Sequence, residues 1–173
     1  MSFYLTLVRH AKSDWSNEAE SDHERVLNTR GEHDAPLMAA LLAERNWSPS
    51  EEAWPQPSIW LSSTAIRARR TAEILVSKLN PVPTISYRHS LYHAHAHELL
   101  SLVQGLADNI QHVVIVGHNP GLEDLANYLS PGIGELPTCA VVQLELQVEH
   151  WAQVEENCAK LGQFLVPKVL FHH

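Results

Sequence analysis

Val113-Val114-Ile115-Val116 is an unbroken run of β-branched residues, apolar at odd and even positions alike. Such side chains are stiff at χ1 and fit extended, pleated backbone. A strand with no polar face must be covered on both sides, which points to a parallel sheet between two layers of helix. The run stops abruptly at Gly117-His118-Asn119-Pro120-Gly121, a cluster of turn-forming residues. Phe3 to Val8 repeats the arrangement: a short apolar run, read as a buried strand, ends at Arg9-His10.

The remaining segments fit the same architecture. Ala11 to Asn28 is polar, lacks a sustained period, and is expected to form a long loop of the kind that often carries function. A helix is expected from Thr29 to about Arg45, with Leu37, Met38, Leu41 and Leu42 at helical spacing. Trp47 to Ser58 contains three Pro and reads as a connection. Ile59-Trp60-Leu61 reads as a strand, with Ser62-Ser63-Thr64 capping a helix from Ala65 to Leu79 that Asn80-Pro81 ends. Thr84 to Tyr87 is expected at a sheet edge, and His97 to Leu106 as a helix begun by His95-Ala96. A helix over Leu122 to Leu129 and a strand over Cys139 to Leu146 follow. The tail is read as helical or irregular, with a last strand near Phe164 to Val166. Alternating strands and helices imply an α/β three-layer sandwich, a mostly parallel central sheet flanked by helices. One domain over residues 1–173 is the simplest organisation, with the closing His172 and His173 set aside as tag-like.

Composition narrows the function. Hydrophobic residues make up 45% of the 173, enough for a sizeable core. Twelve basic against twenty acidic side chains give a net charge of -8, which disfavours nucleic acid and anionic lipid as partners. Any anion site must then be a local concentration of Arg. Cys139 and Cys158 show no metal-like or redox-like spacing, which suits a reducing, cytoplasmic setting. No segment approaches the ~18 apolar residues of a membrane span, and the N-terminal run lacks the features of a signal peptide.

Ligands bind outside the carboxyl ends of strands in sheets of this kind. If the strands ending at His10 and His118 are neighbours, both imidazoles enter one crevice. Arg67 lies one turn into the helix after Ile59-Trp60-Leu61, where free backbone N–H groups already favour an anion. Its guanidinium could clamp phosphate oxygens there, or simply be solvated; Arg69 and Arg70 are read as surface residues.

Leu7-Val8-Arg9-His10-Ala11-Lys12-Ser13 resembles the signature of the histidine phosphatase superfamily. Ser62-Ser63-Thr64-Ala65-Ile66-Arg67-Ala68 and Val116-Gly117-His118-Asn119-Pro120-Gly121 are similar to its later blocks, in order. Arg25-Val26-Leu27-Asn28-Thr29-Arg30-Gly31 looks like the Arg-x-Leu-x-x-Arg-Gly element of the SixA-type phosphohistidine phosphatases, which Leu91-Tyr92-x-Ala94 and Leu136-Pro137-Thr138 also fit. The resemblance implies the phosphoglycerate mutase-like fold. It implies His10 as the nucleophile that accepts a phosphoryl group, with Arg9, Arg67 and His118 around the phosphate. It also implies Arg25 and Asn119 as substrate-binding residues, a pocket able to hold phosphate or sulfate, a phosphohistidine-bearing protein as partner, and no cofactor or metal. Three guanidiniums would disfavour a protonated His10 and so hold it in its reactive form. They would also neutralise charge on the phosphoryl oxygens, and His118 could donate to one of them. Arg25 stands beside Asp22, His23 and Glu24 and could instead be solvated.

Only about thirty residues separate the Arg67 helix from Val113, too few for a large lid. An open pocket suits a phosphoryl group carried by a protein. An alkoxide needs a proton from a positioned acid, whereas phosphoryl-imidazole leaves more readily. The alternatives are small phosphate monoesters on the same site, or a metal-dependent hydrolase. The latter would use Tyr92-His93-Ala94-His95-Ala96-His97-Glu98, whose three His would share one side if the segment is extended. His93 or Glu98 could act as proton donor, although a plain polar loop and a helix-start role for Glu98 are equally open.

Overall fold

The computed structural model describes residues 2–17 and 20–171; His172 and His173 lie outside them. Its strands are β1 (Phe3–Arg9), β2 (Ile59–Ser63), β3 (Ile85–Arg88), β4 (His112–Gly117), β5 (Val141–Leu146) and β6 (Ala159–Leu165). Its α-helices are α1 (Thr29–Glu44), α2 (Ile66–Val76), α3 (Ala96–Gln104), α4 (Gly121–Leu129) and α5 (Pro167–Phe171). The strands form one six-stranded sheet in the order β3-β2-β4-β1-β5-β6. Three of its five pairings are parallel, from β3 through β2 and β4 to β1. The other two, β1 with β5 and β5 with β6, are antiparallel.

The period-2 alternation of the strands divides the core in two. Phe3, Leu5 and Leu7 of β1, with Val113 and Ile115 of β4, pack against Leu99 and Val103 of α3 and Leu122 and Leu125 of α4. Val8, Val114 and Val116 point the other way, onto Met38 and Leu42 of α1 and Ala68 and Leu75 of α2. β4 is buried along its whole length, as its composition requires. On the second face a polar seam replaces the apolar pattern at Thr6. Its Oγ1 lies 2.7 Å from His112 Nε2 and accepts from Gln143 Nε2 at 3.0 Å. His112 Nδ1 donates to the Pro55 carbonyl at 2.8 Å, so the buried ring is a neutral acceptor at Nε2.

Several boundaries depart from the sequence reading. Ser62 and Ser63 extend β2 instead of capping the helix, because their backbones pair with β3 and β4. α2 starts after Ala65 with no side-chain cap and ends at Val76, short of Leu79. Cys139 adopts φ 61°, in a turn that delays β5 to Val141. β6 starts well before Phe164, held by β5. The segment 93–97 is not extended: His93 has φ 54°, and α3 begins at Ala96 with His95 as its N-cap. Glu98 closes a capping box there, accepting from the His95 N–H at 3.0 Å.

Candidate active site

β1 and β4 are parallel neighbours with Arg9 level with Gly117, so the chain leaves both strands at the same edge of the sheet. The His10 N–H donates to Gly117 O at 3.0 Å, and His10 O accepts from the Cys139 N–H at 3.0 Å. Beyond it, the Ala11 N–H donates to Thr71 Oγ1 of α2 at 3.0 Å. These bonds fix the backbone on both sides of the imidazole. The rings of His10 and His118 then lie 5.2 Å apart, centroid to centroid.

His10 Nδ1 is 2.7 Å from Ala11 O. A carbonyl can only accept, so Nδ1 carries the proton and Nε2 keeps its lone pair. Burial pushes the His10 pKa down to about 3, with the Arg67, Arg9 and Arg25 charges adding to the effect and the Ala11 bond opposing it. The guanidiniums expected to keep this ring neutral do so, yet burial is the larger cause. His118 is likewise pushed down to about 2, by burial first and then by the neighbouring His10, Arg67 and His93, with Asp22 opposing.

A cavity of about 230 Å³ opens at this edge, lined by Arg9, His10, Arg25, Arg67, His118 and Asn119 among others. Every residue the sequence analysis assigned to a phosphate pocket is therefore on one wall of space. Arg67 is 1% exposed, which removes the surface reading. Arg25 is buried too, donating to Ser13 Oγ and, through Nε, to Asp22 Oδ1 at 3.0 Å. Arg9 donates to Leu136 O at 3.0 Å, and Asn119 Nδ2 to the same carbonyl at 2.9 Å. Among the described residues, the buried Arg9 Nε, Arg67 Nε and Asn119 Oδ1 have no hydrogen-bond partner. Lys12 also lines the cavity, so an acidic chain concentrates four cationic side chains here.

Asp22 is the residue that the sequence did not single out. It lies in a 3-10 turn, Asp22–Glu24, and its carboxylate accepts from Arg67 at 3.0 Å, Tyr92 Oη–H at 2.6 Å and His93 Nε2 at 2.9 Å. Burial pushes its pKa up, but the bonds from Tyr92 and His93 and the Arg67 charge win and hold it well below the usual carboxylate range. Ser63 was read as a cap and instead meets His118 Nε2 at 2.8 Å. Arg67, which can only donate, faces His118 Nδ1 at 3.4 Å. The His118 N–H is therefore directed to Ser63, where the sequence reading had it donate to a phosphoryl oxygen.

The three alternating His separate. His93 lines the cavity beside Asp22. His95 and His97 stack on each other at 5.7 Å and line a different space of about 640 Å³, with Leu100, Asp124 and Tyr128. That larger space has no Arg or Lys in its wall and is unsuited to an anion. Among the described residues, no group of three or more His, Cys, Asp or Glu is arranged to hold a metal ion, so the three-His site of the alternative reading is not formed. Glu98 is committed to its helix cap and does not line the His10 cavity.

Comparisons with known proteins agree with this geometry. The family model of the histidine phosphatase superfamily (branch 1) matches residues 5–91. An uncharacterized protein of Mycobacterium tuberculosis is 30% identical over 172 residues, covering 93% of this chain and 100% of the relative. A crystal structure from Agrobacterium tumefaciens, assigned as a SixA phosphohistidine phosphatase, aligns with a TM-score of 0.78 at 28% identity, over 96% of this chain and 99% of the other. The protein histidine phosphatase SixA complexed with tungstate also aligns at 0.78, with 20% identity, over 97% and 99% of the two chains, a likeness of fold. An Arg-His pair at the end of a central strand, the ordered motif blocks and these matches have one reading: the chain belongs to branch 1 of the histidine phosphatase superfamily and resembles its SixA-type members.

Proposed function

We propose that this chain is a phosphohistidine phosphatase acting through a covalent phosphoryl intermediate on His10. The observation that carries the reading is the His10 ring itself. Its Nδ1–H is tied to Ala11 O at 2.7 Å, its charge is suppressed by burial, and Nε2 is left as a nucleophile beside three guanidiniums. In the first step the Nε2 lone pair attacks phosphorus as the P–N bond to the substrate imidazole breaks, and that nitrogen takes a proton from His93. In the second step water attacks phosphorus, the His10–P bond breaks, and His93 accepts the water proton as phosphate leaves. Arg9, Arg25 and Arg67 neutralise the phosphoryl oxygens through both steps, and Asn119 adds a polar contact. The tungstate bound by the SixA relative is a tetrahedral oxyanion of the same charge class. A cytoplasmic setting accords with the two free cysteines, and among the described residues no helix is long and apolar enough to cross a membrane.

The test is trapping. Wild-type protein quenched during turnover of a phosphohistidine protein should carry an acid-labile, alkali-stable phosphoryl group. The His10→Ala variant should carry none and lose activity by at least about 10³-fold. Undiminished turnover by the folded variant would end the proposal.

A second reading, hydrolysis of small phosphate monoesters on the same site, is favoured by one contact. His93 beside Asp22 is a positioned proton donor, which an alkoxide leaving group needs and phosphoryl-imidazole needs less. Comparing kcat/KM for phosphohistidine with that for phosphoserine and sugar phosphates decides between the two.

A further inference from the structure

The chemistry above uses the charged lining of the His10 cavity and gives the aromatic residue beside it no task. Trp15 lines the same cavity yet is 68% exposed, the largest apolar ring so placed among the described residues. An indole left in water forgoes a burial gain that a core position would secure. This one is not loose: the Arg25 guanidinium lies over it, 3.4 Å from the ring centroid. Arg25 is in turn fixed by Ser13 and Asp22. One face of the indole is therefore covered by Arg25, while most of the side chain is open to solvent.

The cavity is graded as a result. Cations and the two buried imidazoles lie inside, where phosphoryl oxygens belong. Aromatic surface lies at the mouth, where the group bonded to phosphorus must emerge. In phosphohistidine that group is a planar aromatic ring one bond from phosphorus; in phosphoserine it is a thin alkyl chain. We infer that Trp15 is a specificity-determining residue that receives the imidazole ring of phosphohistidine on its open face. The inference rests on the phosphohistidine reading and adds to it the residue that selects the leaving group. Offset ring stacking of this kind is worth about tenfold in binding.

Phosphoramidate supplies the control, since it has the same P–N bond and no ring. With the full chain, Trp15→Ala should lower kcat/KM for a phosphohistidine peptide about tenfold, through KM. It should leave phosphoramidate hydrolysis within about twofold, and Trp15→Phe should restore most of the loss. Equal losses on both substrates would show that Trp15 acts only by holding Arg25, and no loss on either would remove it from recognition; each overturns the inference while the phosphohistidine reading stands. Wild-type protein that turns over neither P–N substrate would overturn the reading and the inference together.

Discussion

At the scale of the residue, the chemistry turns on two protons. The neutral state of His10 follows from burial, and its tautomer from a single carbonyl, Ala11 O. An unperturbed imidazole is half protonated near pH ~6.5. With its pKa near 3, His10 should stay neutral from pH 8 down to pH 5. NMR of the labelled imidazoles checks this: the His10 signals should not move over that range, and a titration centred near ~6.5 would contradict the burial argument. His93 is different, because half of its side chain is in water and its partner is the Asp22 carboxylate. Under the proposed mechanism the two rings divide the tasks a phosphoryl transfer requires, a dry nucleophile and a wet proton carrier.

At the scale of the element, helix and strand ends deliver these side chains, and close backbone contacts set the spacing. Gly121, the first residue of α4, has no room for a side chain: a Cβ there would collide with the Ala94 carbonyl. Ala94 follows His93, and Gly121 lies three residues after His118, so this contact links the two parts of the site that carry those imidazoles. Gly121→Ala should cost about 1–3 kcal/mol of stability through overpacking, and should lower kcat beyond what partial unfolding explains. Urea unfolding and steady-state kinetics on the same sample separate the two effects. The helices α1 and α4 and the strands β1 and β4 were legible from periodicity and β-branching, to within a few residues. Ser63 was not, because a serine before a helix offers a cap locally and a strand pairing only when β3 and β4 are present. His93 was legible as a possible proton donor, but its parting from His95 and His97 was not: alternation suggested an extended segment, and a positive φ with the capping of α3 broke it.

At the scale of the whole molecule, three buried histidines make stability depend on pH. His10, His112 and His118 are all held neutral in the folded state by burial, with pKa values pushed to about 3, 4 and 2. Above pH ~6.5 folded and unfolded chains both carry these rings neutral, so they add no pH dependence. As pH falls below that point the unfolded chain takes up protons and the folded chain does not, so stability declines. His112, which the Pro55 bond only partly offsets, contributes about 3 kcal/mol of this loss by pH 4. Denaturant unfolding should give constant stability from pH 8 to 7 and a steady decline from pH 6.5 to 4; a flat curve there would contradict the assignment. Asp22 adds its own loss only at lower pH, because its depressed pKa makes it a stabilising anion throughout the range above.

The sequence by itself determined most of the strands and helices, that the sheet is covered on both faces, and that Arg9, His10, Arg67 and His118 sit at the ends of elements. Those properties are local, since they follow from side-chain branching, periodicity and turn chemistry within a few residues. Only the tertiary structure decided that Asp22 meets Tyr92 across 70 positions, that Arg25 is buried and holds Trp15 at the rim, and that His93 parts from His95 and His97. Such pairings depend on which strands become neighbours and where loops are free to close, and no local pattern encodes that.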